Sequence, residues 1–151
     1  MIYSLLFTPQ TFVHPLALEM HESNQMFFLT GSRLYGAPRI NSDWDYDIVD
    51  SGAVRELLTQ LGFSRIVDTN TPAGNLDVNP YADGTTNAVW AAERCGTVIH
   101  IILVKDSYNL RIRHAVVRFL QKTGIFCIEM PRPQKKNIWR ELIALARASI
   151  T

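Results

Sequence analysis

Apolar positions along the chain follow two different periods, and the changes from one to the other mark out its elements. Met26–Thr30, "MFFLT", is a continuous apolar run ending in Gly31-Ser32, which predicts a buried strand. Ser42–Val49 alternates instead. Trp44, Tyr46 and Ile48 fall on one face of a strand, and Asp43, Asp45 and Asp47 on the other. Between the two, Ser32–Tyr35 predicts a short helical turn stopped by Gly36 and Pro38. Ser51–Leu61 switches to helical spacing, with Val54, Leu57, Leu58 and Leu61 on one side, Ser51 as cap and Gly62 as terminator. Phe63–Asp68 predicts a third strand.

Residues 69–86, rich in Thr, Asn, Pro, Gly and Asp, predict a long loop. Asn87–Glu93 and Thr97–Lys105 then predict a hairpin around Arg94–Gly96. Two helices follow, Tyr108–Lys122, ended by Thr123-Gly124, and the amphipathic Gln134–Ala148. Ahead of all these lie an apolar arm (Met1–Phe7), a loop bracketed by Pro9 and Pro15, and a short helix predicted over His14–Glu22. The order implies an α+β fold, a mixed β-sheet with helices packed against it.

The length of 151 residues fits a single domain, 1–151, with a real core, and 47% apolar against 19% charged residues excludes a disordered chain. The longest strongly apolar run, Val98–Val104, is strand-sized, so no membrane partner is expected. The start, "MIYSLLFTPQ", lacks a basic region and a small-residue cleavage site, and no signal peptide is read there. Cys95 and Cys127 show no metal or redox spacing and read as reduced thiols. A cytoplasmic location fits these features. The net charge of +1 conceals a division. Residues 1–104 hold five Arg against eleven acids, whereas residues 105–151 hold ten Lys and Arg against three. An acidic sheet core with a carboxylate cluster, followed by a basic helical part, suits a metal-dependent phosphate-ester enzyme; mutual attraction of the two halves explains the division equally well.

Three carboxylates on one strand face repel each other unless something compensates them, and a divalent cation would do so. Two familiar cation or phosphate loops are excluded. Gly31 to Gly36 has the glycine spacing of a P-loop, but Ala37-Pro38 stand where Lys and Ser or Thr are needed. Asp43, Asp45 and Asp47 begin like an EF-hand, but Ile48 and Val54 stand where Gly and Glu are required.

The whole stretch resembles another pattern: an apolar strand, Gly-Ser, a short helix, then an acid-x-acid strand. This is the mark of the nucleotidyltransferase fold of the DNA polymerase β superfamily. The chain is most similar to its small predicted nucleotidyltransferases reading Gly-Ser-Arg-x-Tyr-Gly … Ser-Asp-x-Asp. Here those positions are Gly31-Ser32-Arg33-Leu34-Tyr35-Gly36 and Ser42-Asp43-Trp44-Asp45, and the signature spans residues 26–49. The resemblance implies transfer of a nucleoside monophosphate from a nucleoside triphosphate to an acceptor hydroxyl on RNA, protein or a small molecule. It implies Asp43 and Asp45 as ligands of Mg2+ (or Mn2+), with Gly31, Ser32 and Arg33 at the triphosphate.

The superfamily adds a third carboxylate from a neighbouring strand. The expected strand here, Thr97–Lys105, has His100 as its one interior polar residue. His100 therefore stands as candidate ligand or base, or as a histidine at a sheet surface, with Asp47, Asp77 and Glu93 as other possible third acids. Arg111, Arg118 and Lys122 share a helix face and suggest a phosphate or RNA track, or simply a solvated face. The alternative reading is a catalytically inactive relative that binds nucleotide, nucleic acid or a protein partner in a regulatory role. The oligomeric state is not fixed by these features.

Overall fold

The computed structural model describes residues 27–69, 82–94 and 96–150. Five strands form one mixed sheet: β1 (Phe28–Thr30), β2 (Trp44–Val49), β3 (Ser64–Asp68), β4 (Thr86–Arg94) and β5 (Thr97–Val104). Their spatial order is β1-β2-β5-β4-β3. The β2–β5 pair is parallel, and every other neighbouring pair is antiparallel. Among the described residues four helices accompany the sheet: α1 (Ser32–Tyr35), α2 (Gly52–Gln60), α3 (Ser107–Thr123) and α4 (Arg132–Ser149). The expected apolar arm, Pro9–Pro15 loop and His14–Glu22 helix lie outside the described residues, as do Met26, Asp77 and Cys95.

Alternation along the strands sends side chains to two cores. On one face Leu29, Trp44, Tyr46, Ile48, Ile99, Ile101 and Leu103 pack with Val54 and Leu58 of α2. Across the sheet, α3 rests on β2 and β5, and Ile112, Val116 and Leu120 form a second cluster with Phe126 and Ile143. Helix α4 packs on α3, farther from the sheet.

Local chemistry sets the element ends. The Ser51 hydroxyl accepts the Val54 N–H at 3.1 Å and starts α2, as its sequence position predicts. Asp106 Oδ1 accepts the Asn109 N–H at 2.8 Å, so α3 begins at Ser107, one residue before its apolar pattern. Gly124, in the left-handed region at φ 65°, ends it, and a 3-10 turn over Ile125–Cys127 follows. Strand β2 begins at Trp44 rather than Ser42. Arg33 takes the carbonyls of Ile40 and Ser42, and the Ser42 hydroxyl accepts the Arg39 N–H, so this stretch folds on itself instead of entering the ladder.

Candidate functional site

Register brings Thr30, Asp45 and His100 side by side across β1, β2 and β5. Thr30 is opposite Asp45, and Asp45 is opposite His100, so all three share the face covered by α3. Gly31 follows directly, with φ 74° and ψ −166°, a backbone region essentially closed to residues with a Cβ. Space forbids one as well. A Cβ built there collides with Asp45 Oδ2 and lies 3.0 Å from that residue's Cγ. The Gly31 carbonyl then accepts the N–H groups of Leu34 and Tyr35, turning the chain into α1 with Ser32 at its first position.

His100 Nδ1 lies 3.0 Å from Asp45 Oδ1 and 3.6 Å from Asp43 Oδ2. A carboxylate only accepts, so the imidazole Nδ1 carries the proton in this contact. The Asp45 hydrogen bond raises the His100 pKa above its ordinary value; burial opposes this, and the charges of Asp45 and Asp43 add to it. The imidazole closes directly on the acid pair. Among the described residues no group of three His, Cys, Asp or Glu side chains is set as a ready-formed metal site.

Asp47 belongs to a different structure. It shares the strand face with Asp45, but it is 1% exposed and both its oxygens are taken by Arg113 of α3, at 2.8 and 3.0 Å. Arg113 therefore compensates the Asp47 charge within the protein, while Asp45 has the His100 hydrogen bond. Arg113 Nη1 also reaches Asp83 Oδ2 at 2.8 Å, and the same oxygen accepts the Trp139 indole N–H of α4 at 2.8 Å. Burial works against the Arg113 charge, but Asp47 and Asp83 outweigh it and its pKa is raised. Burial also pushes the Asp47 carboxyl upward against the pull of Arg113. Asp47 thus joins α3 to the sheet and is no free third acid. Glu93 is exposed opposite Val98 near the hairpin end, and Asp77 lies outside the described residues.

A cavity of about 360 Å³ opens beside the Gly31–Asp45 contact. Thr30, Gly31, Ser32 and Asp45 form one wall, while Arg132, Lys135 and Lys136, from the first turns of α4, form another. Aromatic surface lies between them. The Tyr35 and Trp139 rings stack 6.2 Å apart and 21° from parallel, with Phe126 against Tyr35 at 5.8 Å. Three cations so close to a helix N-terminus oppose the helix dipole, and no acid in the first turn relieves them. The "RPQKK" run was legible in the sequence; that it faces Gly31 and Asp45 was not.

Arg33 points elsewhere. Its guanidinium binds the Ile40 and Ser42 carbonyls and stacks 4.3 Å over Trp44, whose side chain belongs to the opposite sheet face from Asp45. Arg111, Arg118 and Lys122 are exposed on α3. His114 is packed edge-on to Phe28 at 4.7 Å; burial first, then Arg113 and Arg118, pushes its pKa down to about 4. No protein-family model matches this chain, and no curated protein matches it. Among the described residues no helix is long and apolar enough to cross a membrane.

Proposed function

We propose that this cavity binds a nucleoside triphosphate, and that the chain transfers its nucleoside monophosphate to an acceptor hydroxyl. The observation carrying this reading is the meeting of Gly31, Ser32 and Asp45 with Arg132, Lys135 and Lys136 in one cavity. Such a space suits a polyanion only if something offsets the carboxylates. Mg2+ or Mn2+ held by Asp43 and Asp45 would supply that, neutralising charge on the phosphates. The donor set fits, since carboxylate oxygens are what such ions prefer.

Each residue of the chain then has a task. Gly31, lacking a Cβ, lets a phosphate approach the backbone beside Asp45. The Ser32 hydroxyl holds a phosphate oxygen. Arg132, Lys135 and Lys136 grip the departing end, and the Tyr35–Trp139–Phe126 surface offers a stacking place for the base. The acceptor oxygen bonds to the α-phosphorus as the bond to the bridging oxygen breaks and pyrophosphate leaves. The acceptor's proton passes to the Asp43–Asp45–His100 cluster. The acceptor is RNA, a protein or a small molecule.

Incubation with each labelled triphosphate, Mg2+ or Mn2+, and cell extract tests this reading. Label appearing in RNA, protein or a small molecule, with release of pyrophosphate, is the expected result. A second reading, a non-catalytic nucleotide-binding relative, is favoured by His100 standing where a third carboxylate would be expected. Affinity for triphosphate without pyrophosphate release would establish it.

A further inference from the structure

Helix α3 has an outer face that the cavity leaves unused. Its 17 residues include no Asp or Glu. Tyr108, Arg111, Ala115, Arg118, Phe119 and Lys122 recur at helical spacing and form one stripe about 21 Å long. Arg113, half a turn round the helix, holds Asp47 on the sheet, so the stripe faces away from the sheet. Arg111, Arg118 and Lys122 are exposed, and among the described residues none of them pairs with a carboxylate. The neighbouring acid, Asp106, is occupied in capping Asn109. Two rings lie among these cations. Phe119 is 43% and Tyr108 36% exposed, and the Tyr108 hydroxyl anchors its ring by donating to the Ile150 carbonyl at 3.1 Å. A face that is merely solvated gains from mixed charge, since an acid four residues from a base stabilises a helix. Here Arg118 stands four residues from Lys122, a like-charge spacing that works against the helix, and its charge also disfavours protonation of His114.

We infer that this face of α3 docks single-stranded nucleic acid, with Arg111, Arg118 and Lys122 on the phosphates and Phe119 and Tyr108 against the bases. The inference does not depend on the transfer reaction proposed above. Charge complementarity selects a polyanion. The rings then select among polyanions, because a base is free to stack on an aromatic side chain when it is not paired inside a duplex. An anionic membrane would need a broad apolar face beside the cations, whereas the apolar side of α3, with Ile112, Val116 and Leu120, is buried in the second core. The stripe spans a few nucleotides. Its contacts go to phosphates and ring faces rather than base edges, so little sequence preference is expected.

The test uses the full chain and a fluorescent oligouridylate of about twelve nucleotides, followed by anisotropy at several salt concentrations. Wild type is expected to bind with a log–log salt slope near about −2, from three phosphate contacts at about −0.7 each. Replacing all three cations (Arg111→Gln, Arg118→Gln, Lys122→Gln) should bring the slope towards zero and weaken binding at least about tenfold. Phe119→Ala should weaken it about fivefold or more with the slope unchanged, which separates stacking from charge. A duplex of the same length should bind less tightly than the single strand. Oligodeoxythymidylate, run alongside, tells RNA from DNA, and binding of either upholds the surface. Thermal melts confirm that each variant is folded. No binding, equal binding of duplex and single strand with Phe119→Ala neutral, or tighter binding of polyglutamate or phosphatidylserine vesicles overturns the inference. Binding that survives the α3 triple variant but is lost in Arg132→Gln with Lys136→Gln puts the strand at the cavity and overturns it too. Oligonucleotide binding that depends on α3, in a protein that transfers no nucleotide, upholds the surface and overturns only the transfer reaction.

Discussion

Gly31 and Asp45 are in van der Waals contact across the β1–β2 edge, so that the space a Cβ would need at residue 31 is filled by the Asp45 carboxylate. Backbone angle and free space are two separate demands for glycine here, and the structure offers a control that separates them. Gly96, at φ 76°, has a similarly positive φ, and among the described residues nothing lies within 4 Å of its would-be Cβ. Gly96→Ala should cost about 1–2 kcal/mol, the usual penalty for a left-handed residue with a side chain. Gly31→Ala should cost more and weaken triphosphate binding, because Asp45 must also move. Urea midpoints and nucleotide titrations of both variants check this; equal losses of stability and no loss of binding would reduce Gly31 to a turn residue.

The buried pair of Asp47 and Arg113 yields a second expectation. Asp47→Ala leaves a guanidinium deep in the protein with one carboxylate fewer and should destabilise the fold by about 3–5 kcal/mol. Removing both partners with apolar replacements, Asp47→Leu and Arg113→Met, should cost less than the sum of the single changes. Chemical denaturation in a double-mutant cycle measures the coupling, and additivity would show that the pair does not join α3 to β2.

The α4 cations predict opposite effects on stability and binding. Arg132→Gln with Lys136→Gln removes two charges unfavourable at a helix N-terminus and should stabilise the protein by a few tenths of a kcal/mol. Lys135 is left in place because its Nζ lies 5.9 Å above the Phe126 ring. The same double variant should bind a triphosphate several-fold more weakly. A melt and a binding titration, run together, decide it: a loss of both stability and affinity would point to a structural role.

Two histidines should respond to pH with opposite signs in chelator-treated protein. His100 has a raised pKa owing first to its Asp45 hydrogen bond, so its contribution is full below its ordinary value of 6.5 and fades as pH rises through the raised one. His114, with its pKa pushed by burial down to about 4 from 6.5, contributes fully above 6.5 and loses that contribution as pH falls towards 4. The stability advantage of wild type over His100→Asn should therefore shrink towards alkaline pH. Its advantage over His114→Gln should shrink towards acid. Denaturation midpoints between pH 4 and 9 test both signs.

The contrast between what the chain's pattern reveals and what it hides is physical. Strand and helix follow from near-neighbour spacing, so the alternation of Trp44, Tyr46 and Ile48 and the Ser51 cap are legible, with ends displaced by one or two residues. Gly31-Ser32 and Asp43-Trp44-Asp45 are legible too, as parts of one motif over residues 26–49, whereas the closeness of Gly31 to Asp45 is seen only in the fold. The identity of each carboxylate's counter-charge is not legible. Asp43, Asp45 and Asp47 are equivalent in the sequence, yet one register places His100 beside Asp45 and one helix packing places Arg113 on Asp47. Arg33 shows the same limit: adjacency to Gly31-Ser32 suggests a phosphate ligand, but the turn sends it to the carbonyls of the following loop.

Both partners arrive late in the chain. His100 lies 55 residues beyond Asp45, and Arg113 lies 66 beyond Asp47. A growing chain thus carries β2 with its acids unanswered until β5 and then α3 have been made. Closure of such distant contacts is slow compared with forming α2 or the β4–β5 hairpin. During that interval β2 has an open edge, the kind of surface on which partly folded chains join and aggregate. Its row of like charges repels a second copy of itself, so the acids that His100 and Arg113 later meet first act as a guard on the unfinished sheet.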